Sequence, residues 1–488
     1  MLSRINLWWV LGIFLGLRLL SMAVMPLAGT SEPRYAEVAR LMATTGDWIT
    51  PWFTPELPFW GKPPLSFWTE AIAFKLLGTN EFAVRLPSWL ATLGSMGLIF
   101  AYARSYFGPQ VATWSLLIYA SCALVFIAAG AVLTDPFLAL ATTWAMVALA
   151  MAAHSPRWYW RYGFFVAMAI GLLAKGPLIG VLVAGPLLPL LVFYPTLRAS
   201  FLKMPWFSGT ALMLLLSVPW YVMAELKTPG FLNYFLVGEH FLRFIDSGWA
   251  GDLYGVAHKR MKGAIWLEVL TASFPWGLLA LAMLLRHLFK PAQRALLWQK
   301  RQDPNLAYLL AWALFTPAFF TLSGNILWTY VLPALASFSV LMALALSPEK
   351  TAKPWQRSGQ LLLTTLVPLG VTAYMVVGAF QPELLKTEKY LVSHAMTQMK
   401  PGDKLVYLDD VPFSATFYTR GQTGVITLNQ LTDPNRQASA LYLAMQKKDW
   451  AVVSGKFTPP LPQLFESREH ILTVIPPATS APKATQQP

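Results

Sequence analysis

Apolar residues in this chain come in long, nearly unbroken runs, not in the period-two alternation of a half-buried sheet. The runs cover 6–28, 86–104, 110–130, 136–153, 162–174, 178–193, 208–225, 265–285, 306–322, 327–346 and 361–380. A helix needs about 20 apolar residues to cross the hydrocarbon of a bilayer, so the pattern predicts about eleven transmembrane helices. The first run follows Arg4 but is too long for the apolar core of a secretory signal, and no small-x-small site closes it, so it reads as a retained helix. With the N-terminus inside, Arg104, Arg157, Arg161, Arg198, Lys203, Arg286, Lys290, Arg294, Lys300, Arg301, Lys350, Lys353 and Arg357 fall in cytoplasmic connections, as the positive-inside rule requires.

The three long polar segments, 29–85, 226–264 and 381–488, then lie on the other side. In the first, Tyr35, Val38, Ala39, Leu41 and Met42 recur at helical spacing after Pro33 and predict an interfacial amphipathic helix. An aromatic and proline-rich turn from Trp48 to Trp60 follows, then a second interfacial helix over 64–77. In the last segment, 404–408, 424–428 and 450–453 read as strands and 438–447 as helix, which predicts a small α/β domain over 381–475. Residues 476–488, rich in Pro, Ala, Thr and Gln, read as a disordered tail. The membrane part is accordingly 1–380, with 29–85 and 226–264 as its long periplasmic loops.

Composition agrees with this picture: 56% of the 488 residues are hydrophobic and only 12% charged, which excludes a large water-soluble globule and a disordered chain. The net charge of +14 would suggest nucleic acid in a soluble protein, but sorted by topology most of it is an orientation signal, and no nucleic-acid partner is expected. The single cysteine, Cys122, lies in an apolar run, so neither a disulfide framework nor a cysteine-based zinc site is available.

Ionisable residues at helix ends carry the chemistry, because they are costly near hydrocarbon. Three acids stand out on the outer side: Glu32 after the first run, Asp135 in a very short turn, and Glu239 in the second long loop. Asp135 also suits a helix cap before Pro136. Arg34, Lys62, Lys175 and Arg243 form a basic set on the same side; each could serve lipid phosphates, but Gly61-Lys62-Pro63-Pro64 and Lys175-Gly176-Pro177 present their amines from stiff turns. Carboxylates beside fixed cations suit a phosphate-bearing substrate and a nucleophile that must lose a proton. Glu239, His240 and His258 are the candidates for a metal, but neighbours i and i+1 on a helix do not face one another, so a structural role is preferred and a divalent ion stays open. Arg18, near the middle of the first run, either faces the bundle interior or snorkels, the interior being preferred.

Ser31-Glu32-Pro33-Arg34-Tyr35-Ala36-Glu37-Val38-Ala39-Arg40, Gly46-Asp47-Trp48-Ile49-Thr50-Pro51, Lys62-Pro63-Pro64-Leu65 with Trp68, Gly78 and Arg85-Leu86-Pro87 occur in that order. Together they resemble the opening of the bacterial membrane glycosyltransferases of the aminoarabinose (lipid A) transferase and protein O-mannosyltransferase type. Asp135-Pro136, Lys175-Gly176-Pro177, Pro219-Trp220-Tyr221, Glu239-His240 with Arg243-Phe244, and Ser323-Gly324 followed by Tyr330 and Pro333 extend the resemblance over roughly residues 5–345. It implies a GT-C fold: an α-helical polytopic membrane protein with interfacial helices, here with about 11 transmembrane helices and the small C-terminal α/β periplasmic domain.

The activity implied is transfer of a sugar, such as 4-amino-4-deoxy-L-arabinose, from a polyprenyl-phosphate donor to lipid A or another envelope glycan or lipid. The setting implied is the bacterial inner membrane, with the site facing the periplasm. By resemblance Glu32 and Asp135 are catalytic, Lys62 and Arg243 bind the donor phosphate, and Tyr330 binds substrate. Arg34 joins the phosphate-binding set, and Tyr35, Lys175 and His240 the substrate-binding set. Ser31 stands where the family opening usually has Asp, so Glu32 or Asp135 serves alone, and Asn325 stands where relatives often have Lys. Displacement at the anomeric carbon, with Asp135 preferred as base, is the expected chemistry. The alternatives are a protein O-mannosyltransferase and a flippase of the lipid-linked sugar, although no internal repeat marks a transporter.

Overall fold

A computed structural model describes residues 6–246, 248–255, 259–289, 303–346, 354–431, 440–457 and 459–476. Two compact units divide the chain. The first comprises 1–23 and 41–372; the second comprises 24–40 and 373–488, so the segment carrying Glu32 belongs to the unit that holds the C-terminal sheet.

All eleven apolar runs fold as helix. Helices α1 (Leu7–Val24), α2 (Ser31–Thr45), α3 (Leu65–Leu77), α4 (Glu81–Phe107), α5 (Pro109–Ser121), α6 (Ala123–Ala128), α7 (Asp135–His154), α8 (Trp158–Lys175), α9 (Leu178–Phe193), α10 (Pro195–Leu202) and α11 (Trp206–Lys227) follow one another closely. Six helices among the described residues are long and apolar enough to cross a membrane, and a seventh span exists if Ile265–Ala272 and Trp276–Phe289, bent by 113°, count as one. The difference from eleven has local causes. Extended backbone at Cys122 splits one run into α5 and α6, Pro275 interrupts another, and Leu178–Phe193 and Pro304–Phe320 are shorter than a full span.

The first unit is held together by its apolar interior and by polar tips that each reach a buried acceptor. Tyr308 donates to the Met146 carbonyl at 2.7 Å, Tyr221 to Leu172 at 2.6 Å, and Trp276 Nε1 to Ser121 Oγ at 2.9 Å. Where no water competes, such bonds fix helix register as well as satisfying the donor. Arg18 turns inward: its guanidinium donates to Ser21 Oγ at 2.7 Å and to the Ile127 carbonyl at 2.5 Å, and lies against Gly130, where any Cβ would collide with it. Large apolar side chains face outward instead, such as Phe207 on α11 at 93% exposure, as lipid-facing surfaces allow. Helix α2, expected to be amphipathic, is buried along most of its length from Tyr35 to Met42, including Glu37 and Arg40.

In the second unit, β1 (Lys404–Leu408), β2 (Gly424–Ile426), β3 (Leu441–Gln446), β4 (Phe465–Glu466) and β5 (His470–Ile475) form one mixed sheet in the order β2-β1-β3-β5-β4. β1 is parallel to β2 and β3, and β5 antiparallel to β3 and β4. Two sequence expectations are corrected here. Residues 441–446, read as helix, are the central strand β3, and 450–453, read as a strand, are helix Trp450–Ser454. Leu441-Tyr442-Leu443-Ala444-Met445 is buried on both faces, so it shows no alternation, and its helix-favouring residues are overridden by sheet pairing on both sides. Of the expected tail, 477–488 lies outside the described residues.

Candidate active site

The aromatic, proline-rich turn of the first long loop is stitched to the second. Trp220 Nε1 donates to the Ile49 carbonyl at 2.9 Å, Trp60 Nε1 to Thr228 Oγ1 at 3.1 Å, and the Tyr254 hydroxyl donates to Pro58 O at 2.7 Å while accepting from Trp60 N at 2.9 Å. Asp47 anchors the start of the turn through Trp52 Nε1 at 2.7 Å and Lys227 at 2.6 Å. These bonds place Gly61-Lys62 against the segment Asn233–Leu242, which winds as a π-helix, a wide turn that recurs at functional sites.

On that segment Glu239 is a hub. Its carboxylate accepts from Lys62 Nζ at 3.1 Å and from Arg243 Nη1 at 2.9 and 3.1 Å, with the Tyr234 hydroxyl at 3.5 Å; Arg243 also lies 3.4 Å from Asp252. Burial alone would raise the Glu239 pKa, but the two cations prevail and hold it below the usual carboxylate value. Burial would likewise depress Arg243, and Glu239, Tyr330 and Asp252 together raise it. Among the described residues, Arg243 Nε is buried without a hydrogen-bond partner, and so are both amide atoms of Asn325.

A second ion pair adjoins the hub. Asp135, 7% exposed at the start of α7, accepts from Lys175 Nζ at 2.7 Å through Oδ1, and its other oxygen accepts no hydrogen bond among the described residues. Lys175 ends α8, its amine 5.2 Å over the Tyr330 ring. Gly176 follows with φ +71°, a conformation other residues adopt at a cost, and a Cβ there would meet the Phe235 ring at 2.6 Å. His240 Nε2 lies 3.0 Å from the Lys175 carbonyl and Nδ1 2.8 Å from the Phe235 carbonyl. Burial lowers the His240 pKa against the pull of those carbonyls. With both nitrogens so engaged, His240 braces the turn that presents Lys175 and is poorly placed to ligate a metal. His258 lies outside the described residues, and among the described residues no three His, Cys, Asp or Glu side chains converge on a metal position.

Six of the sequence candidates, Lys62, Asp135, Lys175, His240, Arg243 and Tyr330, thus form one connected cluster in the first unit. The other three, Glu32, Arg34 and Tyr35, lie in the second. There Glu32 Oε2 accepts from Ala28 N at 3.2 Å, and the Arg34 guanidinium stacks 5.1 Å over Tyr35 and 5.9 Å over Phe413. Residues 27–29 are bonded into the same unit by Leu27 N to the Tyr418 hydroxyl at 2.8 Å and Gly29 N to the Lys386 carbonyl at 2.9 Å. Sequence reasoning missed Tyr234, within the π-helical segment, and Asp252 and Tyr254, which sit in an irregular loop with no spacing to single them out.

A family model described as dolichyl-phosphate-mannose-protein mannosyltransferase matches residues 61–222. The undecaprenyl phosphate-alpha-4-amino-4-deoxy-L-arabinose arabinosyl transferase 1 of Pseudomonas fluorescens is 30% identical over 380 residues, which cover 75% of this chain and 62% of that protein. The corresponding transferase of Yersinia pestis is 30% identical over 321 residues, 64% of this chain and 54% of its own. The chain therefore spans less than two thirds of the length of these curated relatives. The crystal structure of ArnT from Cupriavidus metallidurans bound to undecaprenyl phosphate aligns with a TM-score of 0.75 at 18% identity, covering 96% of this chain and 98% of that one. In sequence and in fold, this multi-pass membrane chain resembles the glycosyltransferases of the aminoarabinose-transferase and protein O-mannosyltransferase type, and its fold is their GT-C fold.

Proposed function

We propose that the chain is an integral-membrane glycosyltransferase that moves a sugar from a polyprenyl-phosphate donor to lipid A or a related envelope glycolipid, at the periplasmic face of the bacterial inner membrane. Relatives named for undecaprenyl-phosphate aminoarabinose transfer support the donor class, and 4-amino-4-deoxy-L-arabinose or a similar sugar is the cargo they suggest. The observation that carries the reading is Arg243: Nη1 is committed to two carboxylates while Nε is buried with nothing to bond. A buried unsatisfied donor calls for an acceptor, and a lipid-phosphate oxygen supplies one with the matching charge.

The roles follow from what each group has left to offer. Glu239 is saturated by Lys62 and Arg243, so it holds those cations in place and does not act as a base. Lys62 and Arg243 neutralise charge on the departing lipid phosphate, the main requirement when the leaving group is already good. Arg34 is a further phosphate contact in this reading, and Tyr35 a substrate contact. Lys175 fixes one oxygen of Asp135 and leaves the other to accept the proton of the acceptor hydroxyl as that oxygen attacks the anomeric carbon. Tyr330 and His240 orient Lys175, and Glu32 positions the donor sugar. The test is transfer of labelled aminoarabinose from its undecaprenyl-phosphate donor to lipid A in nanodiscs. Wild type makes the glycoside and Asp135→Asn does not; full activity in both Asp135→Asn and Glu32→Gln would sink the proposal.

A further inference from the structure

The second unit contains a cavity of about 620 Å³, within the size range of small-ligand pockets. Tyr390 and Phe465 line it together with Thr387 and Ser467, whose hydroxyls are turned into the unit. Pro382 and Leu384 also border it, as do two basic and two acidic side chains, of which Lys447 Nζ lies 2.5 Å from Glu466. Arg468 is tethered by Nη1 to the Leu384 carbonyl at 2.9 Å. The residues beneath are rigidly held: Ser467 Oγ donates to Glu388 at 3.1 Å, and the same carboxylate takes the Tyr407 hydroxyl at 3.1 Å and His470 Nδ1 at 3.0 Å. A fully satisfied buried network of this kind fixes the walls of a site before any ligand arrives.

We infer that this cavity is a saccharide-binding subsite that holds part of the acceptor glycan. Aromatic faces pack against the C–H face of a sugar ring, while the charged side chains of Lys447, Arg468, Glu383 and Glu466 offer both donors and acceptors to its hydroxyls. The choice of a saccharide over a peptide rests on the transferase reading; the cavity does not. Its place in the unit adds a consequence. Thr387, in the cavity wall, donates from Oγ1 to the Leu27 carbonyl at 2.8 Å, and the Lys386 carbonyl accepts from Gly29 N at 2.9 Å, so the wall is bonded to the strand of chain that leads into Glu32. An acceptor anchored in the cavity is thereby tethered to the unit that carries Glu32, which raises its effective concentration there.

The test uses the full chain in nanodiscs without donor, titrated calorimetrically with deacylated core oligosaccharide released from lipopolysaccharide and, separately, with trialanine. The oligosaccharide is expected to bind with a dissociation constant below about 1 mM, and Tyr390→Ala to weaken it about tenfold while Tyr390→Phe does not. Arg468→Ala, at an exposed position that should fold normally, weakens binding as well and raises the acceptor KM without lowering kcat. Binding survives Asp135→Asn, which separates this site from the transfer chemistry. No heat with the oligosaccharide, equal affinity in Tyr390→Ala and Arg468→Ala, or displacement of the sugar by trialanine would overturn the inference. If wild type binds the oligosaccharide but transfers nothing, the transferase reading falls and the subsite stands.

Discussion

Glu239 in the first unit and Glu388 in the second both hold a carboxylate away from water, and the two are satisfied in opposite ways. Glu388 in the second unit is bonded by the Tyr407 and Ser467 hydroxyls and by His470, a set that closes on itself. Glu239 in the first unit is held by two cations, and one of them, Arg243, keeps a buried donor unbonded. Burying a carboxylate is costly in either place. A closed set of hydrogen bonds answers that cost and has nothing to offer a ligand, whereas an ion cluster with an unmet donor is complete only when an anion arrives. Burial alone therefore does not distinguish a structural carboxylate from a functional one; the unmet bonding capacity around it does.

The sharpest way to break this contrast is at the neighbouring ion pair, where the largest effect is expected. Asp135→Asn keeps the shape of the side chain but removes the proposed base, and should lower kcat for sugar transfer about 10³-fold; it also leaves the buried Lys175 ammonium without its counter-charge, so the melting temperature falls as well. A variant that transfers at a normal rate would make Asp135 a helix cap and nothing more. Next in size, Glu388→Ala leaves the buried Tyr407 hydroxyl and His470 Nδ1 unsatisfied and should destabilise the second unit by about 3 kcal/mol, read as a lower melting temperature. A Glu388→Ala protein that melts normally would show that the closed network is not structural.

Much of this was legible in the sequence, and the residues explain why. Lys62, Asp135 and Lys175 each sit beside proline or glycine at a helix end, where backbone chemistry fixes the turn locally, so the signal survives in a short window. All eleven apolar runs fold as helix for the same reason, since apolar length is a local property. Strand β3 and helix Trp450–Ser454 were exchanged because sheet pairing, which depends on β1 and β5 far along the chain, decided between them. The Glu239 hub was half visible. Arg243 stands four residues on, at helical spacing, but Lys62 comes from 177 positions away and Asp252 from an irregular loop. The cavity in the second unit left no trace, since Tyr390, Lys447 and Phe465 meet only once the sheet has formed.

A smaller change sharpens the role of the unmet donor. Arg243→Lys retains the charge near Glu239 but removes Nε and the planar fork, so donor affinity should fall about tenfold while the protein folds normally. The measurement is the donor KM in the transfer assay together with direct binding of undecaprenyl phosphate. Equal affinity would mean that only charge matters at this position and that the unbonded Nε has no part in recognition.

The smallest effect concerns acid, and it separates Glu239 from its neighbour His240 by the pH at which each acts. Because Glu239 titrates below its ordinary 4.5 in the folded chain, its contribution to stability is complete above that value and is lost as pH falls through the lower folded one. His240, whose folded pKa lies below the ordinary 6.5, acts earlier: the unfolded chain takes up its proton first, so stability declines as pH drops from 6.5 toward the folded value. Melting temperature followed from about pH 8 to about pH 2 should therefore fall in two stages. His240→Gln should remove the upper stage and Glu239→Gln the lower. If Glu239→Gln left the lower stage intact, the cations around Glu239 would not be stabilising its charged form, and the reading of that cluster as an ion hub would fail.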